Sequence, residues 1–244
     1  MKRVFSDLHL RVNPQDQTAT HQLIERAVQF GYRQISVPFT AQLPQNQINS
    51  LKTFCAQAGV DFVLRADFKP RNQEDLMRFL RKFRRKLEVI CIICDEKEIA
   101  RQAAKDRRVD LLNFPSLDYH KRFFDRAEAE LASCSQTALE VDVKSLLVLE
   151  GPPRVRLLSS LRREVIIAKE FHVPVVVSSG VGEARLMRMP RDLASLAYLF
   201  ALSETESLDA VSTNPNSIVM RNREKLTSKF VAPGITILNE GESS

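Results

Sequence analysis

Short runs of consecutive apolar residues alternate along this chain with longer stretches in which apolar positions recur every three or four residues. The short runs, at 4–8, 34–38, 61–66, 87–94, 109–114, 139–143 and 173–178, predict strands. The longer ones, at 20–30, 47–58, 73–85, 96–105, 119–132 and 154–171, predict amphipathic helices, with three more after Pro190. Val89-Ile90-Cys91-Ile92-Ile93-Cys94 and Val173-Pro174-Val175-Val176-Val177 are apolar at successive positions, the pattern of strands covered on both faces in a parallel sheet. Seven strands with intervening helices predict an α/β protein, a single TIM-like (β/α) barrel over residues 1–238, with an open doubly wound sheet as the second choice. The polar stretch 239–244 reads as a flexible tail.

Helix-start signals sharpen the boundaries. A short oxygen-bearing side chain at a helix start accepts hydrogen bonds from first-turn amides that have no partner inside the helix. Asp95 with Glu98, and Ser203 with Glu206, have the spacing of capping boxes. Asn214 before Pro215 predicts a cap followed by a proline at the first helical position.

Composition narrows the class. The 244 residues are 44% hydrophobic and 27% charged, an ordinary globular balance and enough chain for one barrel. No run approaches the roughly 18 apolar residues of a membrane helix, and residues 1–7 lack the apolar segment of a signal peptide, so a cytoplasmic protein is expected. Cys55, Cys91, Cys94 and Cys134 sit in apolar surroundings and predict reduced, buried thiols.

Charge adds a direction. Thirty-six Lys and Arg stand against 30 Asp and Glu, net +6. Between Phe62 and Arg122 there are 16 basic and 10 acidic residues, so this quarter of the chain carries a surplus equal to the whole. A polyanionic partner follows as an expectation.

The working face of such a barrel is the carboxyl end of its strands. The residues placed there are Asp7, His9, Arg11, Arg65, Asp67, Lys69, Asp95, Asn113, Ser116, Asp142, Lys144 and 178–180. Asp7-Leu8-His9-Leu10-Arg11 resembles the Asp-x-His-x-His opening of metallophosphoesterases of the polymerase-and-histidinol-phosphatase (PHP) type, with Arg11 in place of the second histidine. A metal cluster needs several more imidazoles or carboxylates, whereas the chain has four histidines, His9, His21, His120 and His172, two of them on predicted helices away from the mouth. Asp7 and His9 are therefore expected to hydrogen-bond across the mouth, with no metal held by the protein.

Signatures of other enzymes are missing from the sequence: no phosphate-binding glycine loop, no nucleophile elbow and no zinc-ligand spacing. Cys91-Ile92-Ile93-Cys94 lies inside an apolar strand, where its thiols point to opposite faces. No catalytic residue is assigned. Arg78, Arg81, Lys82, Arg84, Arg85 and Lys86 crowd the end of the third helix, where a solvated face is the plain reading. Further cations follow at Arg65, Lys69, Arg71, Arg107, Arg108, Lys121 and Arg122, and a second group comprises Arg185, Arg188 and Arg191. Arginine pairs bidentately with phosphate, and each cation placed on one releases counterions.

The run from Met189-Pro190-Arg191-Asp192-Leu193 to Leu202, with Val211-Ser212-Thr213-Asn214-Pro215 and Arg221-Asn222-Arg223-Glu224-Lys225-Leu226, resembles the protein component 3 family of archaeal ribonuclease P. Its eukaryotic relative is the thirty-kilodalton subunit. Asp7-Leu8-His9, Val109-Asp110-Leu111-Leu112-Asn113-Phe114, Glu140 with Leu146-Leu147, and Ser178-Ser179-Gly180 match in the same order. The resemblance implies a TIM-like barrel related to the PHP superfamily and a non-catalytic subunit. In the family the RNA removes the 5′ leader of precursor tRNA, with Mg²⁺ held mainly on that RNA, while the protein pairs with component 2 and stabilises the RNA fold. On that reading Arg65, Lys69, Arg84, Arg85, Arg107, Arg108, Lys121, Arg122, Arg185, Arg188 and Arg191 neutralise RNA phosphates. The second reading is a PHP-like phosphoesterase using Asp7, His9, Asp67, Asp142 and His120 around metal; the third is a basic barrel that scaffolds other proteins.

Overall fold

The computed structural model describes residues 3–12, 16–40, 42, 44–232 and 235–236. In chain order the elements are β1 (Ser6–Asp7), α1 (Gln17–Gln29), β2 (Gln34–Ile35), α2 (Gln45–Gln57), β3 (Asp61–Phe62), β4 (Arg65–Phe68), α3 (Gln73–Phe83), β5 (Val89–Ile93), α4 (Lys97–Ala104), β6 (Leu111–Asn113), α5 (Arg126–Ser135), β7 (Ala138–Asp142), α6 (Lys144–Val148), α7 (Gly151–Glu170), β8 (Val175–Ser178), α8 (Pro190–Tyr198), α9 (Glu204–Ala210), α10 (Thr213–Leu226), β9 (Phe230–Ala232) and β10 (Ile235–Thr236). The predicted tail at 239–244 lies outside the described residues.

The strands β1-β2-β3 and β4-β5-β6-β7-β8 form two parallel sheets. The predicted third strand is divided: β3 pairs back with β2, and β4 pairs forward with β5. A parallel bridge between Phe39 and Ala66 joins the two sheets. At the other seam, Gly180 N–H donates to the His9 carbonyl at 3.0 Å and Arg11 N–H to the Val181 carbonyl at 2.7 Å. These bonds tie the end of β8 to the end of β1 at the carboxyl side, giving the TIM-like arrangement.

Strand alternation sorts the core. Val89 and Cys91 pack with Leu8, Val63, Leu111, Ala138 and Val176 in one cluster, while Ile90 and Ile92 belong to a separate, larger cluster formed with the surrounding helices. The first cluster is the barrel interior. Ile218 and Val219 of α10 join it, so this helix plugs the amino-terminal end. Asn222 fixes the plug, donating to Asp110 and to the Glu88 carbonyl, each at 2.7 Å. Arg223 reaches Asp61 at 2.8 Å.

Several local expectations are corrected. The region predicted as one helix at 119–132 is a 3₁₀ turn, Tyr119–Lys121, followed by α5, whose start is capped by Asp125 accepting from Glu128 N–H. Between them Arg122 turns inward. The Ser203–Glu206 capping box forms, whereas α4 begins after Glu96 without a side-chain cap, because Asp95 instead pairs with Lys69. Helix α10 starts two residues earlier than predicted, at Thr213 with Ser212 before it, and Asn214 instead donates to the Val175 carbonyl at 2.8 Å. Cys134 is exposed, unlike the buried Cys55, Cys91 and Cys94. The antiparallel pairing of β9 with β10 lies beyond the predicted strands. No helix among the described residues is long and apolar enough to cross a membrane.

Candidate nucleic-acid interface

At the carboxyl end the barrel interior turns polar. Arg65, at the start of β4, is fully buried and donates to both oxygens of Glu140, each at 2.6 Å, to Asp67 at 2.6 Å and to the Leu8 carbonyl at 3.0 Å. Glu140 also accepts from Asn113 Nδ2 at 3.0 Å and Ser178 Oγ at 2.8 Å. Both carboxylate oxygens are thus saturated.

His9 lies beside this pair, with Nδ1 2.8 Å from Asp142 and Nε2 3.0 Å from Asp67. Burial opposes the charged imidazole, but Asp142 and Asp67 outweigh it, and the pKa is pushed up to about 10 against the repulsion of Arg65. Nδ1 donates to Asp142, while Nε2 lies between Asp67 and the Arg11 Nε–H, each at 3.0 Å. Asp67 is held far below the ordinary carboxylate range: burial works against its charge, but Arg65 and His9 prevail. Asp142 is lowered as well, chiefly by His9 against the cost of burial. Asp7 shifts the other way. Its burial dominates the Ser179 and His9 amide hydrogen bonds, and one carboxylate oxygen has no partner among the described residues. Gly180, at φ +64, lets the chain pass so close that a Cβ there would stand 2.9 Å from Asp142.

His9, Glu140 and Asp142 bring ligand atoms within 4.8 Å of one another, the nearest approach to the metal centre that the PHP resemblance implies. The group does not fit. A guanidinium already occupies both Glu140 oxygens, Asn113 Nδ2 donates to Asp142 as well as Glu140, and the imidazole is protonated toward Asp142. The cations His9, Arg65 and Arg11 face the anions Asp67, Glu140 and Asp142, with Arg11 Nη2 3.9 Å from Asp142. His120 is remote from this set in its contacts, exposed on the 3₁₀ turn with its ring tilted against that of Tyr119.

The sequence placed His9, Arg65, Asp67, Asn113 and Asp142 at one face, and the structure brings them together. It overlooked Glu140 as the hub. The signal was available: Glu140 and Asp142 are two apart on β7, so they project to the same side.

The predicted RNA-contacting cations divide by burial. Arg65 is removed from any surface role. Arg122 is removed too, since it is buried and holds Glu164 at 2.6 and 2.7 Å and the Phe114 and Ser116 carbonyls. Arg84 and Arg108 are half-buried; Arg84 binds Asp110, and Arg108 binds Asp106 at 2.6 Å. Lys69, Arg85, Arg107, Lys121, Arg185 and Arg191 are exposed, and Arg188 is partly so. Two of the exposed ones have acidic neighbours, Lys69 with Asp95 and Arg185 with Glu183. The surviving cations lie at both ends of the barrel: Lys69, Lys121 and Arg185 follow strands at the mouth, whereas Arg85 and Arg107 follow helices at the plugged end.

A TIM-like (β/α) barrel with a salt-linked interior and an arginine-rich surface is the class these features define. Residues 4–227 match the family model described as RNase P subunit p30, and the chain belongs to that family. It is similar to ribonuclease P protein component 3 of Methanosarcina barkeri, 30% identical over all of this chain and 99% of that protein. The component 3 protein of Methanosarcina mazei is 28% identical, covering 99% of this chain and 98% of its own length. Among solved structures, a chain of archaeal ribonuclease P with mature tRNA, determined by cryo-EM, matches with a TM-score of 0.81 at 21% identity, covering 98% of this chain and 100% of that one. An adenine deaminase from Arthrobacter aurescens shares the fold at 12% identity, TM-score 0.51, covering 92% of this chain and 97% of that one.

Proposed function

We propose that this chain is a protein subunit of ribonuclease P that supports removal of the 5′ leader of precursor tRNA by binding and stabilising the RNA, without catalysing hydrolysis itself. The observation that carries the reading is the family match over residues 4–227. The filled mouth supports it: Arg65 and the protonated His9 satisfy the carboxylates that a metal-dependent phosphoesterase would leave for its ions. Exposed Arg85, Arg107, Lys121, Arg185 and Arg191, with the partly exposed Arg188, are the cations through which the protein meets RNA phosphates. Recognition then follows RNA shape and backbone. Mg²⁺ belongs to the RNA in this scheme, precursor tRNA is reached indirectly, and the setting is the cytoplasm of an archaeon.

Component 2 is the protein partner in this reading. Met189, Tyr198 and Leu199, exposed at and beside α8, offer it apolar contact.

The test is recovery of the protein from its native cells at moderate salt, with sequencing of the RNA that accompanies it. Enrichment of ribonuclease P RNA is expected. Protein free of that RNA, carrying stoichiometric metal and cleaving phosphodiesters alone, would sink the proposal in favour of the phosphoesterase.

A further inference from the structure

At the plugged end of the barrel, Arg107, Arg221 and Lys225 border a cavity of about 290 Å³ together with Cys134, Ser135 and Gln136. Water occupies about 30 Å³ per molecule in the liquid, so the space admits an anionic group with part of its hydration shell. No carboxylate lines it. Arg107 follows α4, residues 134–136 close α5, and Arg221 and Lys225 lie one turn apart on α10. Three separate segments therefore deliver cations or polar groups to one hollow.

The counter-charge at this end is Asp110, and it is fully used. Its Oδ2 accepts from Arg84 and from Ile90 N–H at 2.9 Å, and its Oδ1 accepts from Asn222 at 2.7 Å and Arg221 at 3.1 Å. One carboxylate is thus shared by two guanidiniums. Arg221 Nε has no hydrogen-bond partner among the described residues. Lys225 is exposed at the rim, where partial desolvation, with Arg221 and Arg84 nearby, lowers its pKa in spite of Asp110 and Glu224. Three cations line the hollow and no carboxylate does, so its field is positive; Asp110 is already shared, and Glu224 acts on Lys225 without lining the cavity.

We infer that this cavity is an anion site that takes a backbone phosphate of RNA, contacted by Arg107 and Lys225, with Arg221 held in place by Asp110. The inference rests on the RNA-binding reading proposed above and adds a location to it: RNA engages the plugged end as well as the mouth. A guanidinium offers paired donors to phosphate oxygens and an ammonium offers a point charge, so the pair suits a phosphodiester. Exposed Arg85, Lys86 and Lys105 continue the positive surface around this end, which matches a partner with repeated charges better than a single small phosphate.

Cys134 makes the site readable, since it borders the cavity and is the exposed cysteine while Cys55, Cys91 and Cys94 are buried. The experiment follows iodoacetamide alkylation of Cys134 in the full chain, alone, with cognate ribonuclease P RNA, and with inorganic phosphate. Salt-dependent RNA affinity is measured in parallel for the wild type, Arg107→Ala and Lys225→Ala, with Arg126→Gln as a surface control. Bound RNA is expected to slow alkylation severalfold, and each of the two cavity variants to lose affinity severalfold and about one unit of salt slope. If the wild type shows no salt-sensitive RNA binding, the broader RNA reading fails and this site with it. If it binds RNA but Cys134 stays equally reactive and both variants keep wild-type affinity and slope, the site is wrong while the broader reading stands. Protection by inorganic phosphate but not by RNA would likewise overturn it, leaving a small-anion pocket.

Discussion

Arg65 and Glu140 meet inside the barrel through two parallel hydrogen bonds of 2.6 Å, with both side chains closed to solvent. The pair links β4 to β7 across the interior at the carboxyl end of the strands. Removing one member leaves the other as an uncompensated buried charge. Arg65→Met is therefore expected to cost about 3–5 kcal/mol, and Arg65→Met with Glu140→Leu to recover part of that loss. Recovery is incomplete because Asn113 and Ser178 lose their acceptor. Denaturant unfolding of the single and double variants measures both numbers; a single-variant cost below about 1 kcal/mol would contradict the role given to the pair.

The same mouth sets a pH response. The folded-state pKa of His9 is raised to about 10, above its ordinary value near 6.5, so the folded protein holds a proton that the unfolded chain releases. Its stabilisation is complete below about 6.5 and is lost as pH rises through about 10. Asp67 and Asp142 shift downward, so their contribution is present above the ordinary carboxylate range and is lost in acid. Stability measured from pH 5 to pH 10 should decline on the alkaline side in the wild type, with a flatter decline in His9→Gln. A His9 ring that titrates near 6.5 by NMR would refute this assignment.

The metal question has its own test. Because the guanidinium of Arg65 and the donors of Asn113 and His9 already satisfy Glu140 and Asp142, Mn²⁺ or Zn²⁺ has no free carboxylate pair to enter. Thermal unfolding should show the same Tm with and without added metal, and the pure protein should not hydrolyse a simple phosphodiester. A metal-dependent rise in Tm that His9→Gln abolishes would show the reverse.

Strand positions were legible because consecutive apolar residues at 89–94 and 173–177 admit few other structures, and the residues after each strand pointed correctly to the mouth. The roles of the cations there were not legible. Whether Arg65 faces RNA or a carboxylate depends on Glu140, 75 positions along the chain, and on a barrel curvature that no local pattern encodes. Arg122 was misjudged for the same reason: its partner Glu164 is 42 positions away, and turning toward it breaks the helix expected through 119–132. The plug formed by α10 was equally hidden, since Ile218 and Val219 look in sequence like one face of an ordinary amphipathic helix.

Glu128 offers an independent probe of the outer layer. It is fully buried at the start of α5, and burial pushes its pKa up to about 8 despite Arg101 at 3.3 Å, with Asp125 adding to the rise. A raised carboxyl binds its proton more tightly when folded, so stability falls as pH climbs from the ordinary carboxylate range through about 8. Glu128→Gln should be near neutral at pH 5 and more stable than the wild type at pH 9. The stability difference between these two pH values, from urea unfolding, decides it; a variant that is less stable at pH 9 would mean that Arg101 gains more from the charge than burial takes away.

Buried and exposed arginines should separate cleanly when stability and RNA affinity are measured on the same variants. Arg122 spends its guanidinium on Glu164 and two carbonyls, so Arg122→Ala leaves Glu164 buried without its counter-ion and should cost about 3–5 kcal/mol. The folded fraction of that variant should keep the wild-type salt slope, because no phosphate contact is lost. Arg185 is exposed and pairs at the surface with Glu183, a contact contributing at most about 1 kcal/mol. Arg185→Ala should therefore leave Tm nearly unchanged while lowering the magnitude of the slope of log affinity against log salt by about one. Filter binding at several salt concentrations, set against thermal unfolding of each variant, reads both axes. An Arg122 variant of normal stability with a reduced slope would return that residue to the RNA surface and would mean that the Arg122–Glu164 pair opens in solution.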